Sequence, residues 1–256
     1  MSDYLQEVEW SFPQAIAVFL SGLAGAFIVS AGVWLIQGSE INVITFTASF
    51  AGQAGGNLLA MWILSVRKGT GSFTRDFGLT IEARHWWGIP AGLGLQTVVA
   101  LVTAPLLRVL FPDGPPQQSI ATLTEGTATV FDGILIVVMV GIAAPIVEEM
   151  LFRGMLLSRF SRSMSPAWAI LLQAIVFASI HLLDPSAIAA LPGLLIVGAV
   201  LGYAAMRTGN LSLPIMIHAG VNLTAVGLLI FGGPVTDWLE KASDPAVIRM
   251  IGSVLG

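Results

Sequence analysis

The stretch "ILIVVMVGIAAPIVEEMLFRG", residues 134–154, is an apolar run with Glu148, Glu149 and Arg153 set into its end. A helix rises about 1.5 Å per residue, so about 20 apolar residues cross a hydrocarbon core of about 30 Å. An ionisable side chain at that depth costs about 2.5–3.5 kcal/mol on insertion scales, so three together require partners or a wet cavity. The reading of this stretch therefore decides both the fold and where to look for chemistry.

The rest of the chain is of the same kind. Of its 256 residues 55% are hydrophobic and 10% charged, mean hydropathy is +0.86, and soluble domains carry about 25% charged residues. This composition predicts an all-α, polytopic transmembrane helix bundle forming one domain over residues 1–256, with a motif-bearing core at 128–231. A net charge of −4 without a basic patch excludes nucleic acid as a partner, and zero cysteines exclude disulfides, thiolate metal sites and cysteine nucleophiles. The N-terminal "MSDYLQEVEW" carries Asp3, Glu7 and Glu9 where a secretory signal would be basic, so the following apolar run is expected to stay as an anchor.

Seven apolar segments read as spans, at about 14–36, 41–66, 86–107, 128–157, 166–183, 188–206 and 211–231. The amphipathic tail "WLEKASDPAVIRMIGSVL" is an eighth helix or an interfacial one. Arg67, Lys68, Arg75 and Arg84, then Arg159 and Arg162, then Arg207 fall in alternate connections, against Arg108, Lys241 and Arg249 on the other side. The positive-inside rule puts the first group, and the N-terminus, in the cytoplasm. Trp10, Trp34, Trp62, Trp86, Trp87, Trp168 and Trp238 lie near span ends, as in an interfacial aromatic belt. Gly52 with Gly56 and Gly198 with Gly202 are small-xxx-small pairs suited to helix packing. "RKGTGSFTRDFG" lacks the spacing of a phosphate loop and reads as a solvated cytoplasmic connection, and "RVLFPDGPPQQS" as an outer turn.

Glu149 and Arg153 stand four apart, acid first, the better order for a helical ion pair. Glu148 is then rotated about 100° away and needs another partner. His85, beside "WWG", reads as interfacial, whereas His181 in "FASIH" and His218 in "HAGVN", with Asn222 on the same helix face, lie within spans. About 16 residues separate both Glu148 and His181 from the turn between them, so a hairpin brings them to one level. His218 reaches that level if the fourth and fifth spans extend about three turns further than the last. Pro145 should weaken or bend the helix beside the glutamates.

A carboxylate and an imidazole sharing one water form a general-base device, with Glu148 accepting the proton and His181 orienting the water. His218 and Asn222 would then donate to the oxyanion formed on a carbonyl, which suggests amide hydrolysis. An alternative wiring makes His181, His218 and Glu148 a His₂Glu zinc site with one open position. The residue types fit both, so the cofactor is Zn²⁺ or none. There is no H-E-x-x-H, no G-x-S-x-G and no intramembrane aspartate pair.

These residues carry a resemblance. "EEMLFR" resembles E-E-x-x-x-R, "FASIH" resembles F-x-x-x-H and "HAGVN" resembles H-x-x-x-N of the CPBP family, the CAAX-protease and bacteriocin-processing intramembrane proteases. The similarity runs over about residues 141–226 and includes "GYAAMRTGNLSLPIMIHAGVN". It implies an all-helical intramembrane endopeptidase with a polar cavity open to the cytoplasm. Glu148 and His181 would activate water and His218 and Asn222 would hold the oxyanion, while Glu149, Arg153 and Phe177 would serve the motifs structurally. The implied partner is a membrane-associated peptide or protein. Eukaryotic members trim prenylated CAAX proteins; bacterial members are described as immunity factors or membrane scaffolds, and the compact length looks bacterial. A non-catalytic scaffold is thus the second functional class. A proton-coupled transporter fits less well, since no matched pair of broken helices is visible.

Overall fold

The computed structural model describes residues 8–38, 42–114 and 129–242; beyond Leu228 the last helix is described, Ile230 apart, by its backbone alone. Among the described residues all regular structure is helical. The long helices are α1 (Phe12–Gln37) and α2 (Val43–Lys68), then, after the one-turn α3 (Phe73–Asp76), α4 (Gly88–Leu110). Next come α5 (Val130–Ser161), α6 (Pro166–Ile180, prolonged by a 3₁₀ turn to Leu183), α7 (Leu191–Thr208) and α8 (Ser212–Ala242).

The seven segments read from the apolar pattern coincide with the seven long helices. Five pass on length and apolar content as membrane crossings: Phe12–Gln37, Ala83–Leu110, Val130–Ser161, Pro166–Leu183 and Pro185–Thr208. Large apolar side chains such as Phe27, Ile28, Leu35, Leu101 and Val102 point outward, a surface that only lipid can cover over so wide an area. The chain is a multi-pass membrane protein. The tail beyond Ala242 lies outside the described residues, as does most of the Pro-rich turn after Phe111.

Local signals set the helix ends. Gln14 folds back to accept from the Ser11 backbone N–H at 2.7 Å, Asn42 Oδ1 accepts from Thr45 N at 3.0 Å, and α7 stops at Gly209, whose φ of +71° suits glycine. Helix α2 is the least apolar of the long helices because its sequence alternates small and polar residues. Those residues let it lie directly on α1: a Cβ on Gly25 would stand 2.2 Å from Gly52 O, and one on Gly56 2.2 Å from Ser21 O. Backbones in such contact gain dispersion energy that lipid cannot replace.

The reading of "RKGTGSFTRDFG" as a solvated loop holds for Arg67, Lys68, Thr70, Gly71, Thr74 and Arg75, which are exposed, and fails at its end. Asp76 and Phe77 are fully buried. The Asp76 carboxylate accepts from Ser65 Oγ at 2.5 Å, Thr70 N at 3.0 Å and Thr70 Oγ1 at 2.6 Å, and its carbonyl takes the Trp10 Nε1–H at 3.0 Å. The Trp10 ring stacks on Phe77 with centroids 4.9 Å apart. Trp10, at 2% exposure, therefore leaves the aromatic belt, to which Trp34, Trp62, Trp86, Trp87 and Trp168 remain as outward-facing members; the Trp238 side chain lies outside the description. His85, expected at the interface, is also buried. The reason is one that periodicity does not carry: the segment caps a step between helices of unequal reach. Phe77 backs onto Gly154 of α5 and Leu211 N donates to Gly78 O at 3.2 Å, so α8 starts near the level of Gly154. Helix α5 runs on to Ser161, about 10 Å further. His218 thus reaches the glutamates with an offset of about two turns rather than the three expected.

Helix α5 is not uniform. Its turns widen to π geometry over Val137–Ala143 and Met150–Leu157, on either side of Ala144–Glu149. Pro145 has no N–H to bond back along the helix and its ring crowds the preceding turn. The helix passes it by widening, and this form of irregularity clusters at functional sites.

Burial opposes the charge on Asp76, but the hydrogen bonds from Ser65, Thr70 and the Gly71 backbone outweigh it and hold the carboxyl below its ordinary value. A depressed native pKa means stability that is fully present above about pH 4 and lost as pH falls through the lowered native value. Replacing Asp76 with Asn is expected to cost about 2–3 kcal/mol and lower the unfolding midpoint at neutral pH by about 5–10 °C. Thermal unfolding of wild type and variant from pH 7 downward checks this; midpoints that differ equally at every pH would show that the charge is not what counts.

Candidate active site

The motif residues come from three helices. Helix α5 presents Glu148, Glu149 and Arg153, α6 presents Phe177 with His181 at its end, and α8 presents His218 and Asn222. Glu149 and Arg153 are fully buried and pair as their spacing predicts, with Arg153 Nη1 donating to Glu149 Oε1 at 2.7 Å. The same oxygen takes a bond from His218 Nδ1 at 2.8 Å. Because a carboxylate held by a guanidinium accepts, Nδ1 carries the hydrogen, and Nε2 is aimed the other way. The second Arg153 terminal nitrogen donates to Gly198 O of α7 at 3.2 Å, and the guanidinium lies 4.6 Å over the Phe177 ring.

Glu148 is rotated away, as expected, and its side chain is 26% exposed. Its Oε2 stands 3.8 Å from His218 Nε2. That length is too long for a hydrogen bond, but short enough for both atoms to touch one water. The sequence paired Glu148 with His181; among the described residues it is His218 whose ring nitrogen comes within 4 Å of that carboxylate. His181 Nδ1 donates to Phe177 O at 2.9 Å, which leaves its Nε2 as a free acceptor. Phe177 joins the two imidazoles, edge-on to His181 at 5.1 Å and to His218 at 5.8 Å. Phe152 packs on it from behind at 5.2 Å.

Asn222 is engaged: its Nδ2 donates to Val140 O at 2.8 Å, inside the first widened stretch of α5. An amide nitrogen has two hydrogens, so one donor is spent on the helix and one is left. Three contributors were not visible as such in the sequence. Val140 and Gly198 act through backbone carbonyls, which leave no side-chain signal, and Phe152 was one apolar residue among many. Gly198 did carry a sign, as a small residue; a Cβ there would press on Phe177 and Ala174 at about 3.1–3.2 Å.

The donor types His181, His218 and Glu148 suit zinc, but among the described residues no three His, Asp or Glu side chains are gathered as a metal ion requires. As arranged, these three do not form a ligand triangle, and no step below passes through a metal.

Residues 130–224 match the family model described as type II CAAX prenyl endopeptidase Rce1-like. An uncharacterized 24.3 kDa protein of Escherichia coli is 31% identical over 144 residues, which are 56% of this chain and 64% of that protein. The chain thus covers somewhat less than two thirds of that relative's length. No solved structure matches. The matched region contains every one of the polar residues described above, from Glu148 to Asn222, and over residues 130–224 the chain is similar to the Rce1-like family.

Proposed function

We propose that this protein is an intramembrane endopeptidase that hydrolyses a peptide bond in a membrane-associated peptide or protein, with Glu148 as general base. The Rce1-like family is one of proteases, and its description names CAAX prenyl substrates; a lipidated CAAX-type chain end is accordingly the substrate class we assign. The observation that carries the reading is a part-exposed carboxylate facing an imidazole whose far nitrogen is locked by a buried ion pair. A scaffold gains nothing from leaving Glu148 outside that pair.

Atoms 3.8 Å apart can each lie about 2.9 Å from a single water oxygen. Glu148 takes a proton from that water, and the His181 Nε2 lone pair holds the other hydrogen, so the oxygen is presented to the substrate carbonyl. As the C–O bond forms, negative charge moves to the carbonyl oxygen. His218, its Nδ1 held by Glu149, turns Nε2 toward that oxygen and serves as a donor to it when Nε2 carries a hydrogen, and Asn222 supplies its remaining N–H. Collapse breaks the C–N bond, and Glu148 returns its proton to the leaving amine, which balances the reaction as amide plus water to acid plus amine. Glu149 touches no reacting atom in this scheme. It is a positioning residue that fixes the His218 ring. With the basic connections placed inside by the positive-inside rule, the site opens to the cytoplasm.

Removing the base should cost about 10²–10⁴-fold in turnover. Glu148→Ala and His181→Ala in the reconstituted full-length protein are each expected to lose at least 100-fold in cleavage of a membrane-tethered lipidated peptide, read by mass spectrometry of the products. Wild-type turnover by a folded Glu148→Ala protein would end the proposal.

The two neighbouring glutamates should part company in stability. Glu149→Ala strands the buried Arg153 charge and is expected to cost about 3–5 kcal/mol. Glu148→Ala, part-exposed, should change the unfolding free energy by less than about 1 kcal/mol. Denaturant unfolding in detergent compares them, and equal losses would contradict the division of roles.

A further inference from the structure

At the end of the bundle where α5 turns into α6, a hollow of about 610 Å³ opens between residues 9–11 and that turn. Arg159, Ser161 and Arg162 form one wall, and Glu9, Trp10 and Ser11 the other. Arg162 pairs with Glu9 at 2.8 Å, and the Glu9 side chain is 74% exposed, so this pair is of the weak, solvent-screened kind. Arg159 lies over the Phe12 ring at 5.1 Å and has no carboxylate partner among the described residues. Two guanidinium groups against one carboxylate leave the lining with a charge of +1.

Phe12, next in the chain to Ser11 of the hollow and under Arg159, lines a separate apolar cleft. Along α1, Phe12, Ala15, Ile16 and Phe19 recur at helical spacing and face Leu151 and Leu156 of α5 across it, with α6 closing the side. No polar residue lines it. The stripe from Phe12 to Phe19 covers about 10 Å of helix and begins one residue after Ser11 of the cationic hollow; Trp168, in the first turn of α6, faces outward. A cationic hollow at the start of α1 and an apolar furrow beginning one residue further along the same helix match one amphiphile in both charge and depth.

We propose that this composite site binds an anionic phospholipid, with its phosphate on Arg159 and Arg162, the Ser11 and Ser161 hydroxyls beside it, and one acyl chain in the cleft. Planar guanidinium groups bind phosphate oxygens in pairs, and the phosphate displaces the exposed Glu9 carboxylate from Arg162. A zwitterionic headgroup brings an ammonium into the same cationic hollow and is disfavoured. The cleft is floored by Phe152, which backs Phe177, and by Ile180, which adjoins His181, so the bound chain buttresses the wall behind the imidazoles. Binding itself does not depend on the peptidase reading.

The test is native mass spectrometry of the full-length protein in detergent, titrated with phosphatidylglycerol and with phosphatidylcholine of identical acyl chains. One phosphatidylglycerol is expected to be retained about five-fold or more tightly than phosphatidylcholine. R159Q/R162Q should abolish that preference, while R108Q/R207Q, which removes as much charge from exposed arginines elsewhere, should leave it intact. Equal retention of the two lipids by the unaltered protein would overturn the proposal whether or not the variants fold. Equal loss in both double variants would do the same, by showing general attraction rather than a site. Two further titrations, one with added inorganic phosphate and one with short-chain phosphatidylglycerol, test the cleft: full displacement of the lipid by phosphate, or equal retention of short and long chains, would also overturn the proposal.

Discussion

One buried carboxylate oxygen, Glu149 Oε1, organises the core of this protein. It accepts from Arg153 and from His218 at once, in a place where an unpaired charge would not be tolerated. The guanidinium that neutralises it reaches across to the Gly198 carbonyl of α7 and lies on the Phe177 ring of α6. Four helices are thereby held in register by one ion pair and its satellites. The cost of placing charge inside a membrane protein becomes the device that fixes geometry, because these groups lose their partners if the helices slip.

The chemistry follows from what that pair leaves over. Adjacent residues on a helix point about 100° apart, so burying Glu149 turns Glu148 toward the accessible side. Locking His218 through Nδ1 turns its Nε2 to the same side. The widening of α5 around Ala144–Glu149 belongs to this design: it carries the helix past Pro145 and leaves the Val140 carbonyl to be met by Asn222. An irregular helix in the membrane is tolerable only where another group completes its hydrogen bonding, and here that group is one of the motif residues.

The first half of the chain, outside the region that matches the Rce1-like family model, holds the described helices in position. Helices α1 and α2 clasp each other through glycines. Helix α4 does the same with α8, where a Cβ on Gly92 would stand 2.1 Å from Ile217 O, one residue before His218. The connection from Thr70 to Phe77, with its buried aspartate and the Trp10 stack, fills the step left by α5 outreaching α8. That step brings His218 to the level of the glutamates.

What the sequence by itself determined is what depends on composition and on spacing within one helix. The seven apolar segments and the Glu149–Arg153 pair are of this kind, as is the outward turn of Glu148, since both solvent and helical period are local properties. The glycine pairs were legible for the same reason. Which imidazole would face Glu148 was not, because levels counted from turns do not say how rings rotate about a shared Phe177. Nor was the burial of Asp76, Phe77, Trp10 and His85, in segments whose polar look suggested solvent. The tertiary structure decided these because they arise where helices of unequal reach meet, and a difference in reach belongs to no single segment of the chain.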